Sequence, residues 1–193
     1  MRLLAAILIV ASCSGVVNAQ DQKANNWSVG AGVGWFRYIN TLDIGANLAK
    51  VNHLGYTFTF MWEPEHRLAL GLESGYYTIY SMERAPSASG PGGSAKLSAI
   101  PLMLSFRMRL VPDLYLSGGP GMTIMYSDVT VLNSTANSSF LSLANFHAGL
   151  MYRKQLNDRF AVGGEVKFLN FGKTEDYGYS VQVAGSYHFR FKK

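Results

Sequence analysis

The four histidines are the first residues to test for chemistry, because imidazole serves both as a metal ligand and as a general base. His53, His66, His147 and His188 are at least 13 residues apart, and none shares a short motif with another histidine or with the single cysteine. That spacing is not a metal motif, so no metal and no other cofactor is expected. An envelope-lipid hydrolase would need Ser, His and an acid gathered near one rim of the fold; no catalytic residue is assigned. What remains is a set of charges, Glu73, Arg107, His147, Glu165, Lys167, His188 and Arg190, whose simplest chemistry is mutual pairing in a confined space. A gated proton or ion path is the sharper reading of the same residues.

These charges need elements to hold them. Only 15% of the 193 residues are charged, against about 25% in an average soluble domain. The 20 glycines and 13% aromatic content point to β-structure with much of its surface out of water. One cysteine rules out an internal disulfide framework. The formal charge of +5 is too small to argue for nucleic acid. Arg2 is followed by an apolar run, Leu3 to Ala11, and then by small residues ending Val17-Asn18-Ala19, which reads as a secretory signal over residues 1–19. The domain is then 20–193. The alternative takes Val10-Ala11-Ser12-Cys13 as a lipobox with a lipidated Cys13.

After the signal no apolar run approaches the 18 residues of a spanning helix. Period-2 alternation recurs instead, in eight segments. In the first, Trp27, Val29, Ala31, Val33 and Trp35 oppose Ser28, Gly30, Gly32, Gly34 and Phe36. In the second, Leu54, Tyr56, Phe58, Phe60 and Trp62 oppose Gly55, Thr57, Thr59, Met61 and Glu63. In the last, Val181, Val183, Tyr187, Phe189 and Phe191 oppose Gln182, Ala184, Ser186, His188 and Arg190. Connections at 63–66, 109–113 and 155–159 are tight, whereas 40–52, 84–95 and 127–139 read as long polar loops. Short turns at one end and longer loops at the other are the asymmetry of an outer-membrane barrel. The expected fold is therefore all-β, an eight-stranded antiparallel up-and-down transmembrane β-barrel.

The second face of each strand decides between membrane and water. It is rich in glycine and poor in charge, which suits a narrow packed lumen better than a wet surface. The apolar face would then meet lipid. Trp27 and Trp35, eight residues apart, span roughly 20 Å along the membrane normal at a tilt of about 40°. Two aromatic girdles follow, Trp27, Trp62, Phe160 and Phe191 toward the tight turns and Trp35, Tyr76, Tyr80 and Tyr126 toward the loops. Glu73 and Arg107 share the lumen parity on adjacent strands and form a candidate ion pair, with Lys167 and Glu165 as alternative partners.

Leu70-Gly71-Leu72-Glu73-Ser74-Gly75-Tyr76, Ile100-Pro101-Leu102-Met103-Leu104, Gly118-Gly119-Pro120-Gly121 and the aromatic last strand together give the chain a family resemblance. It resembles the small outer-membrane β-barrel proteins of Gram-negative bacteria, in the size class of outer membrane proteins A and X, and is most similar to the porin-family barrels of Bacteroidota. The resemblance spans the whole mature chain. It implies location in the cell outer membrane, contact with outer-membrane lipid, handling by the barrel assembly machinery, no nucleic-acid partner and a monomer. Such proteins usually end on an aromatic residue, whereas here Lys192-Lys193 follow Phe191. Lipid A deacylases of this size carry a His-x-Ser-Asn signature that is missing, since His147 is followed by Ala148-Gly149. The expected role is non-enzymatic, structural or surface-interacting through the loops. The alternatives are a narrow solute or ion conduit and an envelope-lipid-modifying enzyme.

Overall fold

The computed structural model describes residues 25–39, 49–64, 67–85, 92–131, 134–172 and 177–191. The expected signal, Cys13, His66, most of the 40–52 connection and half of the 84–95 connection lie outside them. The chain forms β1 (Asn25–Ile39), β2 (Ala49–Lys50), β3 (Asn52–Glu63), β4 (Leu68–Arg84), β5 (Gly93–Val111), β6 (Leu114–Val131), β7 (Ser134–Gln155), β8 (Phe160–Asn170) and β9 (Tyr177–Phe191). All pairings are antiparallel, and each long strand has two neighbours. β1 closes against β9 from Asn25↔Phe191 to Ile39↔Tyr177, while β4 joins β5, so eight long strands make a ring without a free edge. β2 prolongs the β3 side of β4, pairing Ala49 with Met82 beyond a break at Val51.

Closure and alternation have one cause. In lipid every backbone group must be paired within the protein, which a closed ring achieves. Apolar side chains then face outward and small or polar ones inward. On β3, Phe58 is 61% exposed while Thr57 and Met61 are buried. On β5, Leu102, Leu104, Phe106 and Met108 point out, and Met103, Ser105 and Arg107 point in. No helix among the described residues is long and apolar enough to cross a membrane; the strands do the crossing.

Two sequence expectations need correction. The 127–139 segment is not a long polar loop. β6 and β7 continue through it, pairing Ser127 with Ser138 and Val131 with Ser134, and Thr130 and Thr135 hydroxyls meet at 3.1 Å. β-branched Val129, Thr130 and Val131 favour the extended chain over a coil. Tyr80 does not join the outer girdle. A bulge between Thr78 and Tyr80 places Tyr77, Thr78 and Ile79 consecutively in buried positions and turns Tyr80 against the interior. A bulge inserts one unpaired residue and so reverses the parity beyond it.

The ring is uneven in height. β8 has 11 residues and β3 has 12, close to the ~9–11 that a tilted strand needs to cross a bilayer. β5 has 19 and β7 has 22, about twice that need. The surplus lies away from the short turns, where Ser134 to Ser139 are exposed. One side of the barrel thus rises as a β-sheet wall.

Candidate functional site: the barrel interior

The lumen is filled in three tiers. Nearest the short turns, Glu63 ends β3 and collects three basic groups. Arg153 on β7 forks onto it, Nη1 donating to Oε1 at 2.8 Å and Nη2 to Oε2 at 3.0 Å, and its guanidinium lies 4.5 Å from the Tyr115 ring centre. Arg107 Nη1 stands 3.5 Å from Oε1 and His188 Nδ1 3.8 Å from Oε2, while Ser28 donates at 2.7 Å. Bidentate Arg–carboxylate geometry makes Arg153 the strong partner and Arg107 the weaker one.

The middle tier is organised by Lys167 on β8, whose side chain has no solvent exposure. Its Nζ donates to Glu73 Oε1 at 2.5 Å and lies 3.3 Å from Glu165 Oε2. Glu165 also accepts from Gln182 Nε2 at 2.6 Å and from Ser117 Oγ at 3.1 Å, and Thr57 Oγ1 donates to Gln182 Oε1 at 3.0 Å. Buried charges persist only when paired and hydrogen-bonded, and this tier meets that condition with residues from five strands. His147 Nε2 lies 3.4 Å from Ser105 Oγ. Both are buried.

The third tier is apolar. Phe36, Tyr77, Ile79, Leu97, Ala99, Met125, Leu169 and Phe171 form one buried cluster inside the barrel. The Phe36 and Tyr77 rings lie 4.9 Å apart, and Phe171 meets Phe36 edge-on at 6.3 Å. Glycines make the room: a Cβ on Gly55 would stand 2.8 Å from the Tyr77 ring, and one on Gly178 would stand 2.5 Å from that of Phe36. The cluster stoppers the lumen at the loop end.

The structure brings Glu73, Glu165 and Lys167 together, with His147 beside them, and gathers Arg107 and His188 around Glu63. It does not pair Glu73 with Arg107, because Lys167 reaches Glu73 across the lumen. Arg190 and Phe191 lie on β9, with side chains outside the described set. Glu63, Arg153 and the aromatic stopper carry much of the interior and were not singled out from the sequence. Glu63 and Arg153 sit on the lumen parity of their strands, which was the available signal. On the outer surface Trp27 stacks on Phe60 at 5.0 Å and pairs across strands with Trp62, and Phe160 packs on Tyr187 at 4.9 Å, all near the short turns. Trp35, Tyr76 and Tyr126 face outward nearer the loops.

A closed antiparallel barrel with an apolar outside and a charged, filled inside defines a small transmembrane barrel of the outer-membrane class. The chain belongs to the family described as outer membrane protein beta-barrel domain, which matches residues 4–189. It is a cell outer membrane protein. Among solved structures it is similar to Ail, the attachment invasion locus protein of Yersinia pestis, at 14% identity and a TM-score of 0.54, covering 86% of this chain and 99% of that one. It is likewise similar to Neisserial surface protein A, at 12% identity and a TM-score of 0.53, covering 84% and 97%. These likenesses show the fold. No curated protein matches the sequence closely.

Proposed function

We propose that this protein is a non-enzymatic barrel that does not conduct and that presents its raised β4–β7 wall to the cell exterior as an interaction surface. The filled lumen carries the reading. An eight-stranded barrel has room only for packed side chains, and here an ionic tier and an apolar stopper stand in series across it. Of the two Ser–His contacts described, Ser105 with His147 is buried in that lumen, and Ser186 with His188, 3.2 Å apart, belongs to the Glu63 cluster at the short-turn end, away from the outer rim where an envelope-lipid hydrolase would work. In barrels of this family short turns face the periplasm and the longer connections face out, so the wall projects outward. Its outer strands expose Lys96, Asp128, Thr135 and Asn137 beside Val129 and Val131, a mixed polar and apolar surface that suits contact with a partner.

Planar-bilayer recording of the purified full chain tests the closed lumen: no steady openings are expected, and reproducible conductance steps would favour a conduit. The exposed wall is tested by mild protease treatment of intact cells, which should cut the chain at its loop-side connections and leave the short-turn side untouched. Cleavage only after the outer membrane is opened would reverse the orientation.

A further inference from the structure

Below Glu63, at the short-turn end, the lumen widens into a chamber of about 250 Å³. Four arginines line it, Arg67, Arg107, Arg109 and Arg153, together with His188, against two carboxylates, Glu63 and Asp158. Glu63 is already shared among Arg153, Arg107 and His188. Arg107 is 4% exposed, its one ion-pair contact is at 3.5 Å, and its Nε has no hydrogen-bond partner among the described residues. Arg67 and Arg109 are exposed at the rim, held side by side because Arg109 N–H donates to the Arg67 carbonyl at 2.8 Å. Among the described residues no carboxylate stands in ion-pair range of either.

Four guanidiniums and two carboxylates line the chamber, and only Arg107 and Arg153 share Glu63, so self-pairing leaves an excess of positive charge that it does not explain. Low-dielectric walls carrying charge of one sign focus the field on the space between them and concentrate counter-ions there. Guanidiniums present planar pairs of donors that match phosphate and carboxylate oxygens. Taking roughly 30 Å³ as the share of one water, the chamber holds a tetrahedral oxyanion with several waters around it.

We propose that this chamber is an oxyanion-binding site that takes a phosphate group from the periplasmic side, with Arg107 and Arg153 as its floor and Arg67 and Arg109 as its rim. The phosphate could belong to a soluble anion or to the headgroup of an inner-leaflet phospholipid; both present the same oxygens. The inference rests on the orientation of the barrel and not on the role of its outer wall.

The test is calorimetric titration of the full-length barrel in a neutral maltoside detergent with inorganic phosphate, at low ionic strength and with chloride as control. Saturable phosphate binding is expected, with chloride failing to compete at equal concentration. The Arg67→Gln/Arg109→Gln variant should weaken binding at least tenfold while keeping the heat-dependent gel mobility of a folded barrel. If that pair does not fold, Arg109→Gln alone, at an exposed position, should weaken it severalfold. Native mass spectrometry of protein extracted from vesicles with and without phosphatidylglycerol assigns the source: a retained anionic lipid lost in the double variant identifies a headgroup, and its absence beside saturable phosphate binding identifies a soluble anion. Absence of both phosphate binding and retained lipid in the unmodified protein would overturn the proposal. So would phosphate binding unchanged by either variant.

Discussion

Lys167 is the residue on which the interior turns. It is fully buried between Glu73 and Glu165, so Lys167→Met removes one charge and leaves two carboxylates facing each other out of water. Breaking a buried pair from one side costs about 3 to 5 kcal/mol, whereas replacing all the charged members together often costs far less. Urea unfolding in lipid vesicles should therefore show a large loss for Lys167→Met and a smaller one for Lys167→Met combined with Glu73→Gln and Glu165→Gln. A triple variant less stable than the single one would mean that the charges themselves hold the tier. Around Glu63 the expected order is set by geometry. Arg153→Ala removes two charge-assisted bonds of 2.8 and 3.0 Å, worth about 1.5 to 3 kcal/mol each when shielded. Arg107→Ala removes one contact at 3.5 Å while Glu63 keeps Arg153. The same unfolding measurement should find the Arg153 variant the weaker.

At the scale of strands, Phe106 states which face meets lipid. It points outward on β5, between Leu70 of β4 and Gly118 of β6. Phe106→Arg should cost about 2 to 4 kcal/mol if it lies near the bilayer midplane, and a harmless substitution would put the parities the wrong way round. Ala144 makes the complementary case. It sits at φ 62° beside a bulge whose Asn145 donates to Thr123 at 2.5 Å. The left-handed region costs an ordinary residue about 1 to 2 kcal/mol, so Ala144→Gly should leave stability unchanged or raise it by up to about 1 kcal/mol in the same assay. Such positions also mark where sequence reading stops. Alternation was legible in all eight long strands, because lipid outside and a narrow lumen inside sort residues by size and polarity. It failed where a bulge reverses parity, as at Tyr80, and where β-branched residues carry a polar segment into a hairpin, as at Val129 to Val131. The candidate charges were legible by parity, and Lys167 stood among the alternative partners, but the choice of Lys167 over Arg107 was not: Glu73 on β4 and Lys167 on β8 meet across the lumen, which the order of strands in sequence does not reveal. Phe36 and Tyr77 stayed hidden because a large ring on the lumen side fits only where a glycine, such as Gly55 or Gly178, faces it.

For the whole molecule the question is what closes the barrel. Two obstacles stand in series, the Lys167 tier and the aromatic stopper, and they are held by different forces. The stopper is packing: Phe36 and Tyr77 are fully buried and touch at 4.9 Å. Truncating a buried aromatic costs about 3 to 5 kcal/mol, and neighbours in contact do not add. Phe36→Ala with Tyr77→Ala should thus lower unfolding stability by less than the sum of the two single changes. It should not open the barrel, because Lys167, Glu73, Glu165, Gln182 and Ser117 still fill the cross-section beneath. Planar-bilayer recording of the double variant is expected to stay silent, as for the unmodified protein. Steady openings in the double variant alone would show that the ionic tier passes water and ions, that the stopper is the sole seal, and that a conduit closed by two aromatic rings describes this protein better than a solid post bearing a wall.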